Sequence, residues 1–465
     1  KAGVTRATVT MFSWAGLAYS FKFIWSPLVD NFKLPFGQFG HRKSWLLLSQ
    51  IFIVISLIFI SNTDPSMYLI ATAIGAIMIA VSSATQDIVI DAYRIESASQ
   101  QMQGALSSMY IAGYRVAMLI AGAGSLYLAS FFESGDYNVE VWKKVYLIMA
   151  GLMLVGILTT IFSPEPKIKR KISLLTSNDQ FRFLISFIFA LFIFILTYSQ
   201  LVPPLVLESP IQKFLFTFLK IFLSLLFSTL IILIFIKINI IPKNSAANAY
   251  LRPILEFTNR YGKTAFLILI LIGLYRIADI VMGVVANIFY LEKGYNIKEI
   301  ATYSKFFGVF ATIFGGLVGG YSSIKYGTIK ALFFGALIAA ASNLLFAWLA
   351  ISNASINSLI IVITADNISS GFAGAAFVVY LSALTSIKFT ATQYALFSSL
   401  MILIPKVLAG YSGSIVNIMG YSNFYIFTAI LGIPVLILIY IVKLQLLFPA
   451  PPFAILARFA HCDCK

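Results

Sequence analysis

Residues 84–96 read ATQDIVIDAYRIE and place Gln86, Asp87, Asp91 and Arg94 within nine positions, near the end of an apolar run that begins at Met67 as MYLIATAIGAIMIAVSS. An ionised carboxylate at the centre of a membrane helix costs about 2.5–3.5 kcal/mol on insertion scales, so two of them need a reason. Their spacing of four puts Asp87 and Asp91 on one helix face. Arg94, three residues beyond Asp91, lies on the same side near the helix end. Such a set can hold a proton or a substrate cation in a cavity. The plainer reading is a charge cluster near the membrane surface, in which Arg94 pairs Asp91 and holds neighbouring helices together. Asp87 is the deeper of the two acids along the run and is favoured as the titrating group.

Further charges interrupt apolar segments. Lys22 stands in WAGLAYSFKFIW, Arg115 in IAGYRVAML, Arg276 and Asp279 in GLYRIADIVMG, Lys305 in YSKFFG, Asp366 in ITADNISSG and Lys406 in LIPKVLAG. Arg276 and Asp279 are three apart and can pair on one helix. Lys22, Arg115, Lys305 and Lys406 have no carboxylate at helical spacing. A Lys near a helix end can snorkel to the interface; Lys22 and Arg115 read as too deep for that. The excess of cations over anions points to an anionic substrate, and the alternative is pairing across helices. Trp14, Trp25, Tyr19, Tyr110, Tyr114 and Tyr275 adjoin these positions and could stack on a sugar, though ordinary packing is the simpler account of each.

Placing these residues takes a polytopic membrane fold. The chain has 465 residues, 60% hydrophobic and 11% charged, and a mean hydropathy of +0.92. Soluble domains are about 45–50% apolar and about 25% charged. Apolar runs long enough to span a bilayer lie near 8–29, 44–61, 66–92, 104–131, 144–162, 181–202, 213–236, 264–290, 298–321, 328–351, 357–384, 394–419 and 423–444, thirteen in all. Pro203-Pro204 breaks the sixth. The net charge of +16 does not indicate nucleic acid, because the basic residues concentrate in alternate loops. One set of loops carries roughly twenty Lys and Arg and the other about seven, so the rich set is expected in the cytoplasm. The N-terminus then lies outside. The chain begins at Lys1 with an apolar run almost at once, so a first helix is expected before it.

An internal echo links two loops. SPLVDNFKLPFGQFGHRKSWLL (26–47) and GGLVGGYSSIKYGTIKALFF (315–334) share the order small residue, Leu-Val, aromatic-Gly, basic, apolar. Transporters are often built from such repeated halves. The expected organisation is an N-terminal half over 1–162, an insert of two helices with basic linkers over 163–263, a C-terminal half over 264–446 and an atypical tail over 447–465. Gly315, Gly316, Gly319 and Gly320, with Gly371 and Gly374, supply small faces for close helix approach. A static contact is the safer reading of them, and a sliding one the alternative. YGKT at 261–264 is not a phosphate loop, since Phe257 stands where its first Gly belongs. There is no nucleophile elbow and no HExxH, so an enzyme is not expected, nor a cofactor. Cys462, Cys464 and His461 in the tail HCDCK are too isolated to read as a metal site, and no cleavable signal peptide is visible.

FKFIWSPLVD with GHRKSW, QDIVIDAYR, GYRVAM, LYRIAD, SKFFGVFATIFGGLVGG, GFAGAAFVVYLSAL and FTATQYALFSSL keep their order over about residues 10–435. Together they resemble the AmpG muropeptide permeases of the major facilitator superfamily. The eukaryotic acetyl-CoA transporters are similar in the first part, including the QDI-x-x-D pattern. The resemblance implies an all-α polytopic fold of two six-helix halves, here with a two-helix insert, in the bacterial inner membrane. It implies proton-driven import of GlcNAc-anhydromuramyl peptides for cell-wall recycling, by a monomer that needs only its substrate, protons and the bilayer. Asp87 and Asp91 match the family's paired acids, and Arg276 with Asp279 its YR-x-x-D pair. Asp30 with Arg42 and Lys43 resembles the superfamily's gating loop, although the spacing from the Asp to the Gly is longer than usual. The tail FPAPPFAILARFAHCDCK departs from the family. An acyl-CoA or other anionic cargo, and a decayed copy that no longer transports, stay open as alternatives.

Overall fold

The computed structural model describes residues 13–34, 39–132, 138–167, 177–201, 210–241, 247–296 and 299–447. Almost all of them are helical. A backbone in lipid has no water to bond, and a helix satisfies its own N–H and C=O groups. Twelve helices among the described residues are long and apolar enough to cross a membrane. They correspond to the last twelve of the thirteen runs. The tail cysteines with His461, the Pro203-Pro204 breaker and everything before Ser13 lie outside the described residues.

The first run is not one helix. Helix α1 (Leu17–Phe21) gives way to a 3-10 turn at Lys22–Ile24, and α2 (Ser26–Asn31) follows a turn at Trp25. Pro27 has no N–H for the Phe23 carbonyl four residues back. Ser26 Oγ donates to that carbonyl instead, at 3.0 Å. The break leaves Lys22 at a helix end with its side chain buried.

The rest of the first half is α3 (His41–Ser61), α4 (Leu69–Ser97), α5 (Gln103–Leu119), α6 (Ser125–Phe132) and α7 (Val139–Phe162). A π turn at Ile120–Gly124 joins α5 to α6. Helices α3 and α7 are tied by Gln50 Nε2, which donates to Thr160 Oγ1 at 2.9 Å. Asn138 caps α7 by accepting from the Glu140 N–H.

The chain divides into two compact units. The second takes in Asp30–Lys33 and Arg170–Glu256, inside the 163–263 segment apart from its first piece. Its helices α8 (Ser177–Leu196) and α9 (Pro210–Lys237) pair through Ser228 Oγ, which donates to the Ala190 carbonyl at 3.0 Å, and through the Phe189 and Phe235 rings. Phe183 stacks on Tyr250.

In the first unit the C-terminal half begins after α10 (Arg252–Tyr261). It comprises α11 (Thr264–Leu274), α12 (Ile277–Glu292), α13 (Gly308–Tyr326), α14 (Thr328–Ile351), α15 (Ile356–Leu384), α16 (Thr390–Ala409), α17 (Ser412–Ile430) and α18 (Gly432–Leu447). Its core centres on Phe346, Phe377, Phe397, Phe424 and Tyr425, all fully buried. Two interruptions lie in this half. The helix breaks at Tyr275 and Arg276 between α11 and α12, and a π stretch at Ile300–Phe307 precedes α13. The sequence reading put Lys406 inside a span over 394–419. The structure keeps it in α16, one turn before the bend at Gly410 and Tyr411 that leads into α17, and its side chain is exposed.

The two echoed loops share a backbone detail. Gly40 (φ 93°, ψ 166°) precedes α3, and Gly327 (φ 90°, ψ 150°) precedes α14. Both angles lie where L side chains rarely go, so only glycine turns the chain this way cheaply.

The glycines of α13 face two directions. Gly315 and Gly319 lie against the backbone of α15 at Ile368 and Phe372. Gly316 and Gly320 lie against α5 at Ile111, Ser108 and Gly104. Residues four apart share a face, so one row packs within its own half and the other across to the first half. From the α15 side, a Cβ on Gly371 would run into the Thr312 carbonyl, whereas one on Gly374 would meet only Ile111 Cδ1 at an ordinary 3.6 Å. Overpacking of this kind costs about 1–3 kcal/mol. Gly371→Ala is therefore expected to lower the thermal midpoint of the detergent-solubilised protein, and Gly374→Ala to leave it nearly unchanged. Equal midpoints would contradict the close approach of α13 and α15.

Candidate functional site

Helix α4 carries the acids, and the break in the first run brings a cation to them. Lys22 Nζ lies 2.5 Å from Asp87 Oδ2 and 3.7 Å from Asp91 Oδ2. One ammonium thus serves two carboxylates from 65 residues away. Tyr110 of α5 donates to Asp87 Oδ1 at 3.0 Å. Trp25 Nε1 donates to Thr85 Oγ1 at 3.1 Å and pins the broken segment to α4. The Asp87 side chain is 23% exposed, against 3% for Asp91 and Lys22. The acid that is deeper along the chain is thus the one that solvent reaches. Gln86 is half-buried and makes no side-chain hydrogen bond among the described residues.

Arg94 connects this cluster to the second half. Its Nη2 is 3.7 Å from Asp91 Oδ1, while Nη1 donates to Gln103 Oε1 at 3.1 Å and to Ser382 Oγ of α15 at 2.9 Å. The guanidinium lies over the rings of Tyr110 and Tyr394. Two more bonds cross between the halves close by. Ser107 Oγ donates to the Ala375 carbonyl at 2.8 Å, and Ser108 Oγ to the Gly316 carbonyl at 2.9 Å. With the Gly104–Gly320 approach they make a seam at the end of the bundle that carries the basic loops. Sequence reasoning missed Gln103, Ser107, Ser108 and Ser382. A serine pair in an apolar helix was the available signal.

The residues of the expected gating loop lie in a different set of contacts. Arg42 is fully buried, and its Nε and Nη2 donate to the two Glu96 oxygens at 3.1 and 2.7 Å. Its Nη1 donates to the Val29 carbonyl at 3.2 Å. The Glu165 carboxylate accepts from the N–H groups of Arg42 and Lys43 at 2.7 and 3.1 Å. An anion at a helix N-terminus satisfies orphan donors and meets the positive end of the dipole. Lys43 Nζ donates to the Ile161 carbonyl at 2.8 Å. Asp30 is buried in α2. Glu96 and Glu165 were not singled out from the sequence, although Glu96 closes the very stretch that holds the acids.

A second polar site is a cavity of about 320 Å³ lined from both halves. Arg115 comes from α5, Arg276 and Asp279 from the helix break, and Asp366, Asn367 and Ser370 from α15. Arg276 Nη2 donates to Asp279 Oδ2 at 3.2 Å and to Ser370 Oγ at 3.3 Å. Asn287, Tyr290 and Ser304 complete the polar lining. The side chains of Lys305 and Trp14 lie outside the described residues. Tyr275 is not available for stacking on a ligand. Its hydroxyl donates to the Leu332 carbonyl at 3.0 Å and its ring stacks on Phe377 in the core. Tyr114 is exposed and Tyr19 half-buried.

The chain is 32% identical over 440 residues to a putative AmpG 4 transporter of Rickettsia conorii, which covers 94% of this chain and 89% of the relative. It is 28% identical to the anhydromuropeptide permease of Escherichia coli, over 94% of this chain and 72% of the permease. A family model described as acetyl-coenzyme A transporter 1 matches residues 2–74. Among solved structures, the proton:xylose symporter XylE superposes with a TM-score of 0.63 at 13% identity, over 94% of this chain and 87% of the symporter. The fold is that of the major facilitator superfamily.

Removing one partner of a buried ion pair typically costs about 3–5 kcal/mol, because a charge is left without compensation. Lys22→Met is expected to destabilise by that order and Lys22→Met with Asp87→Asn by less, since the double variant leaves Asp91 with Arg94. Thermal unfolding of these two variants and of Asp87→Asn alone checks this. A double variant as unstable as the sum of the two single ones would show that Lys22 and Asp87 are independent.

Proposed function

The chain belongs to the AmpG family, multi-pass transporters of the bacterial inner membrane, and on that premise we propose that it imports anhydromuropeptides from periplasm to cytoplasm together with protons. The observation that carries the proposal is the single Lys22 ammonium shared by Asp87 and Asp91 beside the seam between the halves.

Lys22, Arg94, Asp87 and Asp91 are two cations and two anions, and as a set they are neutral. Asp87, the more exposed acid, takes the proton. Lys22 then loses its nearest counter-charge and turns to Asp91, which competes with Arg94 for the same carboxylate. Arg94 is also the residue that holds Ser382 across the seam. Protonation therefore bears on the contact that keeps the halves together. It also leaves the set with one excess positive charge, which is costly in an apolar surrounding. An anionic substrate entering the same central region offsets that charge, so proton and substrate favour each other's binding. Such reciprocity is what linkage requires of coupled sites.

The substrate occupies the cavity lined by Arg115 and Arg276, whose guanidinium groups suit the carboxylates of a peptide stem. With the basic loops in the cytoplasm, the closed seam faces the cytoplasm and the cavity is filled from the periplasm. An acyl-coenzyme A conjugate is the second reading, favoured by the family match over residues 2–74. It is also anionic, and competition with unlabelled acetyl-CoA separates the two.

The test is uptake of radiolabelled GlcNAc-anhydromuramyl tripeptide in a host without its own permease. Expression of this chain is expected to confer uptake that rises as external pH falls and collapses with a protonophore. Asp87→Asn is expected to cut uptake at least tenfold and to flatten the pH profile, with the protein still in the membrane. Normal pH-driven uptake by Asp87→Asn and Asp91→Asn variants would remove the proton role. No uptake by the unaltered chain would remove the muropeptide.

A further inference from the structure

One short helix carries more apolar surface than the described residues around it cover. Helix α10 (Arg252–Tyr261) follows a π turn at Ala247–Leu251 and reads RPILEFTNRY. Helical spacing sorts its residues into stripes. Pro253 and Phe257, four apart, are buried. Arg252, Glu256 and Asn259, at i, i+4 and i+7, form a polar stripe. Between these two lies an apolar stripe of Leu251, Ile254 and Leu255, at i, i+3 and i+4, and each of the three is about half exposed.

Sequence and anchoring place this helix at the membrane surface. Its 10 residues rise about 15 Å, half of the roughly 30 Å of a hydrocarbon core. Arg252, Glu256 and Arg260 fall within that length, so α10 does not span. It is nevertheless held at the level where spans begin and end. Arg260 Nη2 donates to the carbonyl of Leu384, the last residue of α15, at 2.8 Å. Phe257 packs on Phe397 of α16 with ring centres 5.1 Å apart. Gly262 (φ 56°) closes α10 in the left-handed conformation that glycine adopts cheaply, and α11 begins at Thr264. Three residues of chain reach no further than about 10 Å, so the end of α10 stays at the depth of the lipid headgroups. The lipid-facing surface of α11 starts at once with Phe266, which is mostly exposed.

Charge fixes the leaflet. Residues 237–263 include Lys237, Lys243, Arg252, Arg260 and Lys263 against the single acid Glu256, the balance of a cytoplasmic segment that meets anionic headgroups. We propose that α10 lies in the cytoplasmic leaflet, with Leu251, Ile254 and Leu255 among the upper acyl chains and the Arg252 stripe turned to water and lipid phosphate. Helices of this kind sink about 5–10 Å into the boundary of headgroups and acyl chains. The anchors of α10, in α11, α15 and α16, all belong to the second half, so the leaflet holds that half at its cytoplasmic end.

The test uses the full chain with Cys462→Ser and Cys464→Ser, reconstituted in vesicles of phosphatidylethanolamine and phosphatidylglycerol. Single cysteines are introduced by Leu251→Cys, Ile254→Cys, Asn259→Cys and, as a lipid-facing reference on α11, Phe266→Cys. Each carries a nitroxide, and its collisions with oxygen, which concentrates in lipid, are compared with those with a water-soluble nickel chelate. The ratio of oxygen to nickel collisions at Leu251 and Ile254 is expected to be several-fold higher than at Asn259 and to approach that at Phe266. Nickel reaching Leu251 and Ile254 as freely as Asn259 would place the stripe in water and overturn the proposal. Access by neither reagent would show that protein, from this chain or a second copy, covers the stripe, and would overturn it equally. The two positions are read separately, so a label that disturbs one leaves the other to decide. None of these readings requires transport, so the import reading and this one fail separately.

Discussion

A charge in the middle of a membrane helix must find a counter-charge, and the first half of this protein is organised around that need. Lys22, Asp87, Asp91 and Arg94 form a closed set within α1, its following turn and α4. None of the four is stable there alone. The first run gives up helical continuity at Lys22–Ile24, and there the ammonium lies within reach of α4. Ser26 repairs the carbonyl that Pro27 leaves open, so the break adds no orphaned acceptor at that point. Backbone irregularity at membrane depth is tolerated where protein surrounds it, and Lys22 is 2% exposed.

The same logic recurs at the second polar site. Arg276 lies at the break between α11 and α12, and Arg115 and Asp366 reach into the cavity from continuous helices. Interrupted helices are a common way to present charge at the centre of a transporter. The two sites differ in how well they are satisfied. The Lys22 set is tied by direct ion pairs. On the cavity wall only Arg276 and Asp279 pair directly among the described residues.

Between the sites runs the contact of the two halves. Lipid tails are as apolar as leucine, so helices in a membrane are not driven together by the hydrophobic effect but by close packing and polar contacts. The α13 glycines show the consequence. Gly315 and Gly319 bring α15 to backbone contact within one half; across the halves Gly320 meets the Gly104 backbone of α5, and Gly316 meets the Ile111 side chain. Arg94, Ser107 and Ser108 add three hydrogen bonds to that seam. Arg94 alone belongs both to the seam and to the charge set, so the ion pairs of α4 and the contact of the halves share one side chain.

Much of this was legible in the amino-acid sequence. Twelve of the thirteen expected spans, the shared face of Asp87 and Asp91, the Arg276–Asp279 pair and the glycine rows all follow from helical period and hydropathy, which act within a single segment. The equivalence of Gly40 and Gly327 was visible as a repeated loop pattern, and their common positive φ gives it a cause. Tertiary structure alone decided the partners. Nothing local to Lys22 announces Asp87, nothing local to Arg42 announces Glu96, and Arg94 to Ser382 spans 288 residues. Lys406, expected among buried charges, has an exposed side chain because no segment packs over its face of α16, and Tyr275 is core because Phe377 and Leu332 pack against it. Periodicity specifies which face of a helix a residue occupies. Which neighbour that face meets is set by packing between segments far apart in the chain, and a charge in lipid is stable only once that neighbour is in place.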